Sequence, residues 1–435
     1  MTLGGYIVNK IKIDFFEELI SAHNTGLIVG NGFSMNFDSC FSNIYGCLKE
    51  GSYALSKNGI FSISPGAKPH TKAIIKENYN NVLRYVRTLN QKQLEGIFKD
   101  AVAFAGLITT NSTIRDFLNQ NKHLNRLKVG PDMLEITENI YRVGSTKGFQ
   151  FVNIENWPIL IWSFHLIEDL AEFKNYNQQN NRFITLLKIG GRKSISPPNS
   201  EGDVMVKTRF NGFAIYYRLL MLTIIFGNGK AVDLKKAEYA EKVNRNSLTC
   251  WLQEFKELFS LNYDLLLEQI VHRPVTYLHG QFRNNAAGFS YFQSYSMRYG
   301  DKQYYTNDII LGDYATTKVL DQFIHSLAMK DIAFEQPRVD PLKELTLKMN
   351  ESKINHIVFF GMHPENDYHI LSGIYHNFLI TKQDNPMITY CYFNEQEIED
   401  FTNTFYKVTD SIYRNKNLIP LHFVDSKEVI NRYFV

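Results

Sequence analysis

Hydrophobic positions along this 435-residue chain follow two rhythms. Gly26-Leu27-Ile28-Val29 is a continuous apolar run, the pattern of a strand covered on both faces, and it leads straight into Gly30-Asn31-Gly32-Phe33-Ser34. There Gly30 and Gly32 allow a tight turn, and Ser34 or Asn36 can cap a following helix. Residues 9–20 carry apolar positions at helical spacing, as do residues 37–50 with Phe41, Ile44, Tyr45 and Leu48. After the Ser64-Pro65-Gly66 punctuation the rhythm turns helical, over Val82–Ile108, Thr113–Leu127, Ile159–Phe173, Phe213–Phe226 and Leu234–Phe255. No period of about 20–50 residues recurs there, which excludes a solenoid. Strand-like runs return at 258–264 and 275–280. From residue 356 the pattern alternates, with strands at His356–Gly361, Met387–Phe393 and Leu421–Val424 and helices over 366–380, 394–407 and Lys427–Tyr433. Strands alternating with helices predict an α/β fold, a parallel doubly wound sheet built from residues 1–65 and 256–435. The all-helical segment 66–255 is then an insertion between the first and second strands of that sheet.

Composition narrows the class. The chain is 44% hydrophobic and 21% charged, which excludes disorder and leaves material for a sizeable core. A net charge of +3 gives no global pointer to nucleic acid or an anionic membrane, and the basic run Lys188–Lys193 reads as a solvated loop. Cys40, Cys47, Cys250 and Cys391 form no C-x-x-C pair, against a structural zinc ribbon or a disulfide framework. The start Met1-Thr2-Leu3-Gly4-Gly5-Tyr6 has no basic-then-apolar signal pattern, and Phe213–Phe226 is too short to span a bilayer and carries Arg218. The expectation is a cytoplasmic protein without a metal.

Ligands of open parallel sheets bind beyond the carboxyl ends of the strands. Four strands here end in polar or glycine residues: Gly30-Asn31-Gly32, Asn262-Tyr263-Asp264, His279-Gly280 and Gly361-Met362-His363. Side by side, these ends gather a glycine turn suited to phosphate, an amide, an acid and an imidazole. A histidine titrating near neutrality suits a general base, and an uncharged amide can orient a water or a sugar hydroxyl. Plainer roles stand beside these: Asp264 as a hydrogen-bonding partner, His363 as a loop residue, Asp367 as an acid favoured at a helix start. His165 and Asp169 have a metal-like spacing, but without a third ligand they read as one face of an amphipathic helix.

Taken in order, Gly30-Asn31-Gly32-Phe33-Ser34, Leu261-Asn262-Tyr263-Asp264, Leu278-His279-Gly280 and Phe360-Gly361-Met362-His363 with Asp367 resemble the four motifs of sirtuin-like domains. The similarity covers roughly 20–50 and 258–395 and is nearest to bacterial sirtuin-like NAD+ hydrolases that act as effectors in anti-phage defence. It implies a Rossmann-like fold that binds NAD+ as substrate, with the pyrophosphate held by Gly30, Asn31, Gly32, Phe33 and Ser34. It places the functional asparagine at Asn262 and the catalytic histidine at His279, and it adds Asp264, Gly361, His363 and Asp367 to the binding surface. Met35-Asn36-Phe37-Asp38 replaces the Pro-Asp-Phe-Arg segment of deacetylating sirtuins, and the four-cysteine zinc module is missing, so deacetylation is disfavoured. The implied activity is cleavage of NAD+ to nicotinamide and ADP-ribose, depleting NAD+ in an infected cell. Control would lie in the helical segment, through a homo-oligomer or a companion infection-sensing protein. The alternative is a non-catalytic module that binds NAD+ or ADP-ribose.

Overall fold

A computed structural model of the chain describes residues 2–3, 6–56, 61–63, 69–120, 132–176, 180–189, 211–282, 295–305, 341–381, 383–412 and 419–435. The expected Ser64-Pro65-Gly66 boundary, the end of the Thr113–Leu127 helix and most of the Lys188–Lys193 run lie outside these residues. Eleven strands occur among them, in chain order β1 (Thr2–Leu3), β2 (Tyr6–Lys10), β3 (Thr25–Val29), β4 (Phe61–Ile63), β5 (Glu257–Ser260), β6 (Thr276–Tyr277), β7 (Tyr295–Tyr299), β8 (Lys302–Tyr305), β9 (His356–Phe360), β10 (Met387–Tyr392) and β11 (Leu421–Asp425). Two compact units divide the chain. One holds residues Met1–Ser42, Gly229–Phe282 and Arg338–Val435, the other Asn43–Asn228 and Arg283–Pro337.

The first unit is an α/β sandwich. Its sheet runs β1-β2-β11-β10-β9-β3-β5-β6, with every pair parallel except the β1–β2 edge. Alternation along the central strands explains the three layers. Leu27 and Val29 of β3, with Val358 and Phe360 of β9, share one core with Phe16, Ile20, Trp251, Leu266 and Val429 from the helices on that face. Ile28, Ile357 and Phe359 share the opposite core with Leu345, Ile370, Ile374, Phe401 and Phe405. A strand buried on both faces has no polar alternation to show, hence the continuous apolar runs in the sequence. From β6 inward to β3 and out again through β9, β10 and β11, the order is that of doubly wound sheets that bind dinucleotides, extended by β2. The switch point falls between β3 and β9.

Three expectations change here. Residues 6–10 form strand β2 and the helix starts only at Ile13, because Val8, Asn9 and Lys10 pair with Leu421, His422 and Phe423 of β11. Residues 37–50 are two 3₁₀ turns, Ser39–Ser42 and Ile44–Cys47, followed by a helix Leu48–Ser56, and the unit boundary falls within them. The stretch 229–255 belongs to the sheet unit. Only Leu234–Lys236 and Arg245–Gln253 of it are helical, and Trp251 stacks on Tyr433 at 4.8 Å between ring centres.

The second unit is mainly helical. Its long helices are Pro69–Val86, Gln91–Thr110, Met133–Thr146, Trp157–Ile167 and Gly212–Phe226, and β4, β7 and β8 form a small antiparallel sheet in the same unit. The expected single helix over 82–108 is two. Asn90 accepts from the Gln93 N–H, and the Gln93 side chain bonds back to the Asn90 N–H, so a new helix begins there. Phe98 lies stacked 5.7 Å from Phe149 and edge-on to Trp157 at the centre of this unit. Gly212–Gly229 is long and apolar enough to cross a membrane, unlike the sequence reading, yet 78% of it is buried in the protein and Arg218 is buried with it. That is the environment of a core helix.

Candidate active site

The glycine turn sits at the switch point of the sheet. The Gly30 N–H extends the β3–β9 ladder to the Phe360 carbonyl at 2.9 Å, and the Gly32 N–H donates to the Gly361 carbonyl at 2.9 Å. Backbone meets backbone here. A methyl group on Gly30 would lie 2.5 Å from the Gly361 oxygen, and one on Gly32 would lie 2.6 Å from Gly361 Cα. Gly361 itself has φ +70°, a conformation costly to any residue with a Cβ. The three glycines are therefore accounted for by two loops in contact, and the Gly32 N–H is already engaged. The helix expected after the turn is a single turn, Asn31–Ser34, with no side-chain cap. Asn36 instead donates back to the Gly32 carbonyl at 2.8 Å.

The residues of this turn separate in role. Asn31 is exposed and its side-chain amide donates to the Phe41 carbonyl at 2.6 Å. Phe33 is fully buried against Phe37, Phe360 and Phe434, so its side chain packs the core and offers a ligand no surface. Ser34 is also fully buried. Its hydroxyl donates to Asp264 Oδ2 at 2.6 Å and accepts from Asn262 Nδ2 at 2.9 Å.

Asn262 follows β5 and reaches across to the turn. Its Nδ2 donates to the Gly30 carbonyl and to Ser34 Oγ, both at 2.9 Å, while its Oδ1 has no hydrogen-bond partner among the described residues. The side chain is thus oriented, with its acceptor end uncommitted. Asp264 is buried and takes the Ser34 hydroxyl on one oxygen and the Leu266 N–H on the other at 3.0 Å. Loss of solvation pushes its carboxyl up to about 6, and those two hydrogen bonds oppose the shift. Asp264 ties β5 to the glycine turn and presents no open oxygen.

His279 lies just past β6, buried, between the core residue Leu278 and Gly280, whose φ is +84°. Its Nε2 stands 3.5 Å from Asp367 Oδ1 and 3.3 Å from His369 Nε2, and the two imidazoles stack with centroids 5.4 Å apart. Asp367 and His369 come from the loop after β9 and the start of the helix Tyr368–Thr381, which the Asp367 carbonyl helps to close by accepting from Ile370 and Leu371. The Tyr263 ring, next in sequence to Asn262, lies 6.3 Å from that of His279. His363 is exposed on the same loop. Buried carboxylate, imidazole and imidazole form a group that can hold or pass a proton.

No known protein-family model matches this chain, and no curated protein or solved structure proves similar to it. Its chemistry is read from its own side chains.

Asn262 is hydrogen-bonded to the glycine turn, and His279 lies against Asp367, a residue singled out through the motif resemblance and as a helix-start acid. His369 escaped the sequence reading, since it lies inside the helix Tyr368–Thr381, two residues past Asp367. The His165 and Asp169 spacing gives no metal geometry. His165 is 3.5 Å from Glu168 but makes no hydrogen bond among the described residues, while Asp169 is 96% exposed and pairs with Lys174. A groove lined by Asn43, Tyr45, Glu95, Lys99 and Gln150 lies within the helical unit and includes none of the predicted site residues.

Proposed function

We propose that the sheet unit cleaves the nicotinamide–ribose bond of NAD+, consuming water and releasing nicotinamide, ADP-ribose and a proton. The observation that carries this reading is that an oriented amide, Asn262, and a carboxylate-backed histidine, His279, each lie just past the carboxyl end of a parallel strand, β5 and β6. As the glycosidic bond breaks, positive charge builds on the ribose. Asn262 Oδ1 accepts from a ribose hydroxyl or the attacking water and holds it in place. His279 takes the proton that leaves, and Asp367 stabilises the imidazolium that forms. The resemblance of the four motifs to sirtuin-like NAD+ hydrolases supports the same substrate. Under this reading the protein is an NAD+-depleting effector of anti-phage defence, held silent by its helical unit through self-association or a companion protein. A monomer that hydrolyses NAD+ at full speed alone would sink the control by that unit.

The deciding experiment measures nicotinamide released from NAD+ by the purified chain, alone and with the products of neighbouring genes, for wild type, His279→Ala and Asn262→Ala. Loss of a positioned base lowers such a rate roughly 10²–10⁴-fold. Equal rates in wild type and His279→Ala would refute the assignment. The engaged Gly32 N–H and the buried Ser34 hydroxyl are committed within the protein, and the second reading is a module that binds NAD+ or ADP-ribose through other groups without cleaving it. Saturable NAD+ binding with no nicotinamide released under any condition would select it.

A further inference from the structure

The geometry points to a transition-metal site of the zinc type at His279, Asp367 and His369. One ligand atom from each lies within 4.8 Å of the others, and all three residues are buried. Two of the three spacings are those of a coordination shell. Zinc bound at about 2.0–2.1 Å to imidazole nitrogen and about 2.0–2.2 Å to carboxylate oxygen places neighbouring tetrahedral ligands about 3.3–3.5 Å apart. Those two edges, 3.3 Å from His279 Nε2 to His369 Nε2 and 3.5 Å from His279 Nε2 to Asp367 Oδ1, fall in that range. Only one hydrogen fits between two Nε2 atoms, and the same His279 nitrogen also faces the carboxylate. A divalent cation satisfies all three lone pairs at once.

Two nitrogen donors and one oxygen select zinc, cobalt, nickel or iron over magnesium or calcium, which demand oxygen shells. Three protein ligands leave a fourth position for water or substrate, as in catalytic rather than structural zinc sites. The inference does not rest on NAD+ cleavage. A metal held by His279 Nε2 blocks proton uptake there, so the metal-bound and base states exclude each other at that atom.

The test titrates the full, chelator-treated chain with Co2+, following its visible absorption, and with Zn2+ by calorimetry. The expected result is one equivalent bound with the intense absorption of tetrahedral cobalt. Binding should weaken at least about tenfold in His369→Gln and in Asp367→Asn, by analogy with the loss seen when a metal shell is disturbed. Thermal melts without metal identify any variant that fails to fold, and the remaining variant then carries the comparison. No saturable binding by wild type, or unchanged affinity in a folded variant, overturns the site. Neither readout uses nicotinamide release, so an inactive but metal-binding chain sinks only the proposed function.

Discussion

At the scale of single residues, the glycines at the switch point carry the sharpest stability expectation. Gly361→Ala places a methyl group 2.6 Å from Gly32 Cα while forcing alanine to φ +70°. The conformational part alone costs about 1 kcal/mol, and overpacking against backbone adds about 1–3 kcal/mol more. Gly300 offers an internal comparison, with φ +55° and nothing within 4 Å of an added methyl group. Gly300→Ala should therefore show the conformational cost alone. Urea unfolding of both variants checks this, and equal losses would refute the claim that the two loops press on each other. The sequence marked Gly30 and Gly32 for a tight turn open to a phosphate, and Gly361 as a strand end on the implied binding surface. Their actual neighbours lie over 300 residues away in the chain, and no local pattern reports such a contact. Asn262 and His279 were legible as polar residues just past strand-like runs, and Asp367 as an acid at a helix start and as part of the motif resemblance. His369 was not legible, since its partner is 90 residues distant and its own segment reads as a helix face.

At the scale of elements, two buried titrating groups bind strands together and pull stability in opposite directions with pH. His356 in β9 bridges Thr25 of β3 at 3.0 Å and Thr389 of β10 at 2.8 Å, and burial lowers its affinity for a proton to about 3. The unfolded chain takes that proton from about pH 6.5 downward, so acidification weakens the fold by about 1.4 kcal/mol per pH unit. Asp264, raised to about 6, behaves the other way. Between about pH 6 and 4 the folded chain keeps a proton that the unfolded chain has released, so acidification strengthens the fold at a similar slope. The two effects offset each other over that interval, and below it His356 acts alone. Asp264→Asn removes the opposing slope. Denaturant unfolding at about pH 4, 5, 6 and 7 should show the variant losing ground to wild type as pH falls, by up to about 3 kcal/mol. Parallel curves would refute it. The same elements show where the sequence was informative. β9, β10, β11 and their helices were legible because each apolar run is isolated by turn residues. The break at Asn90 was missed because apolar spacing continues across it, and only the reciprocal Asn90–Gln93 bonds decide that a new helix starts.

At the scale of the whole molecule, chain order and spatial order disagree in one place. β3 pairs with β5 on one side and β9 on the other, in registers that join Gly26 to Glu257 and Thr25 to His356. The helical unit draws mainly on Asn43–Asn228 and mixes pairs near in sequence, such as Gln91–Thr110 with Met133–Thr146, with distant ones, such as Gly212–Phe226 with Leu48–Ser56. The sequence reading set the limits of the helical segment at 66 and 255, whereas the units divide at 42/43 and 228/229, because helical spacing does not say which core a helix joins. The crossed order has a consequence for assembly in time. On a growing chain, β3 has neither of its neighbours until more than 200 further residues have been made. Closing so long a loop costs entropy before any contact repays it, which makes the central pairing late. The helix Gln91–Thr110 faces a shorter wait, since Met133–Thr146 and Arg182–Leu187 pack on it. Pulse-labelled hydrogen exchange during refolding should protect amides of 97–108 before those of 26–29, and simultaneous protection would refute that sequence of events. Until β9 arrives, the open edge of β3 stays exposed, and the interval in which this protein risks pairing with another copy of itself is written into the position of a single strand.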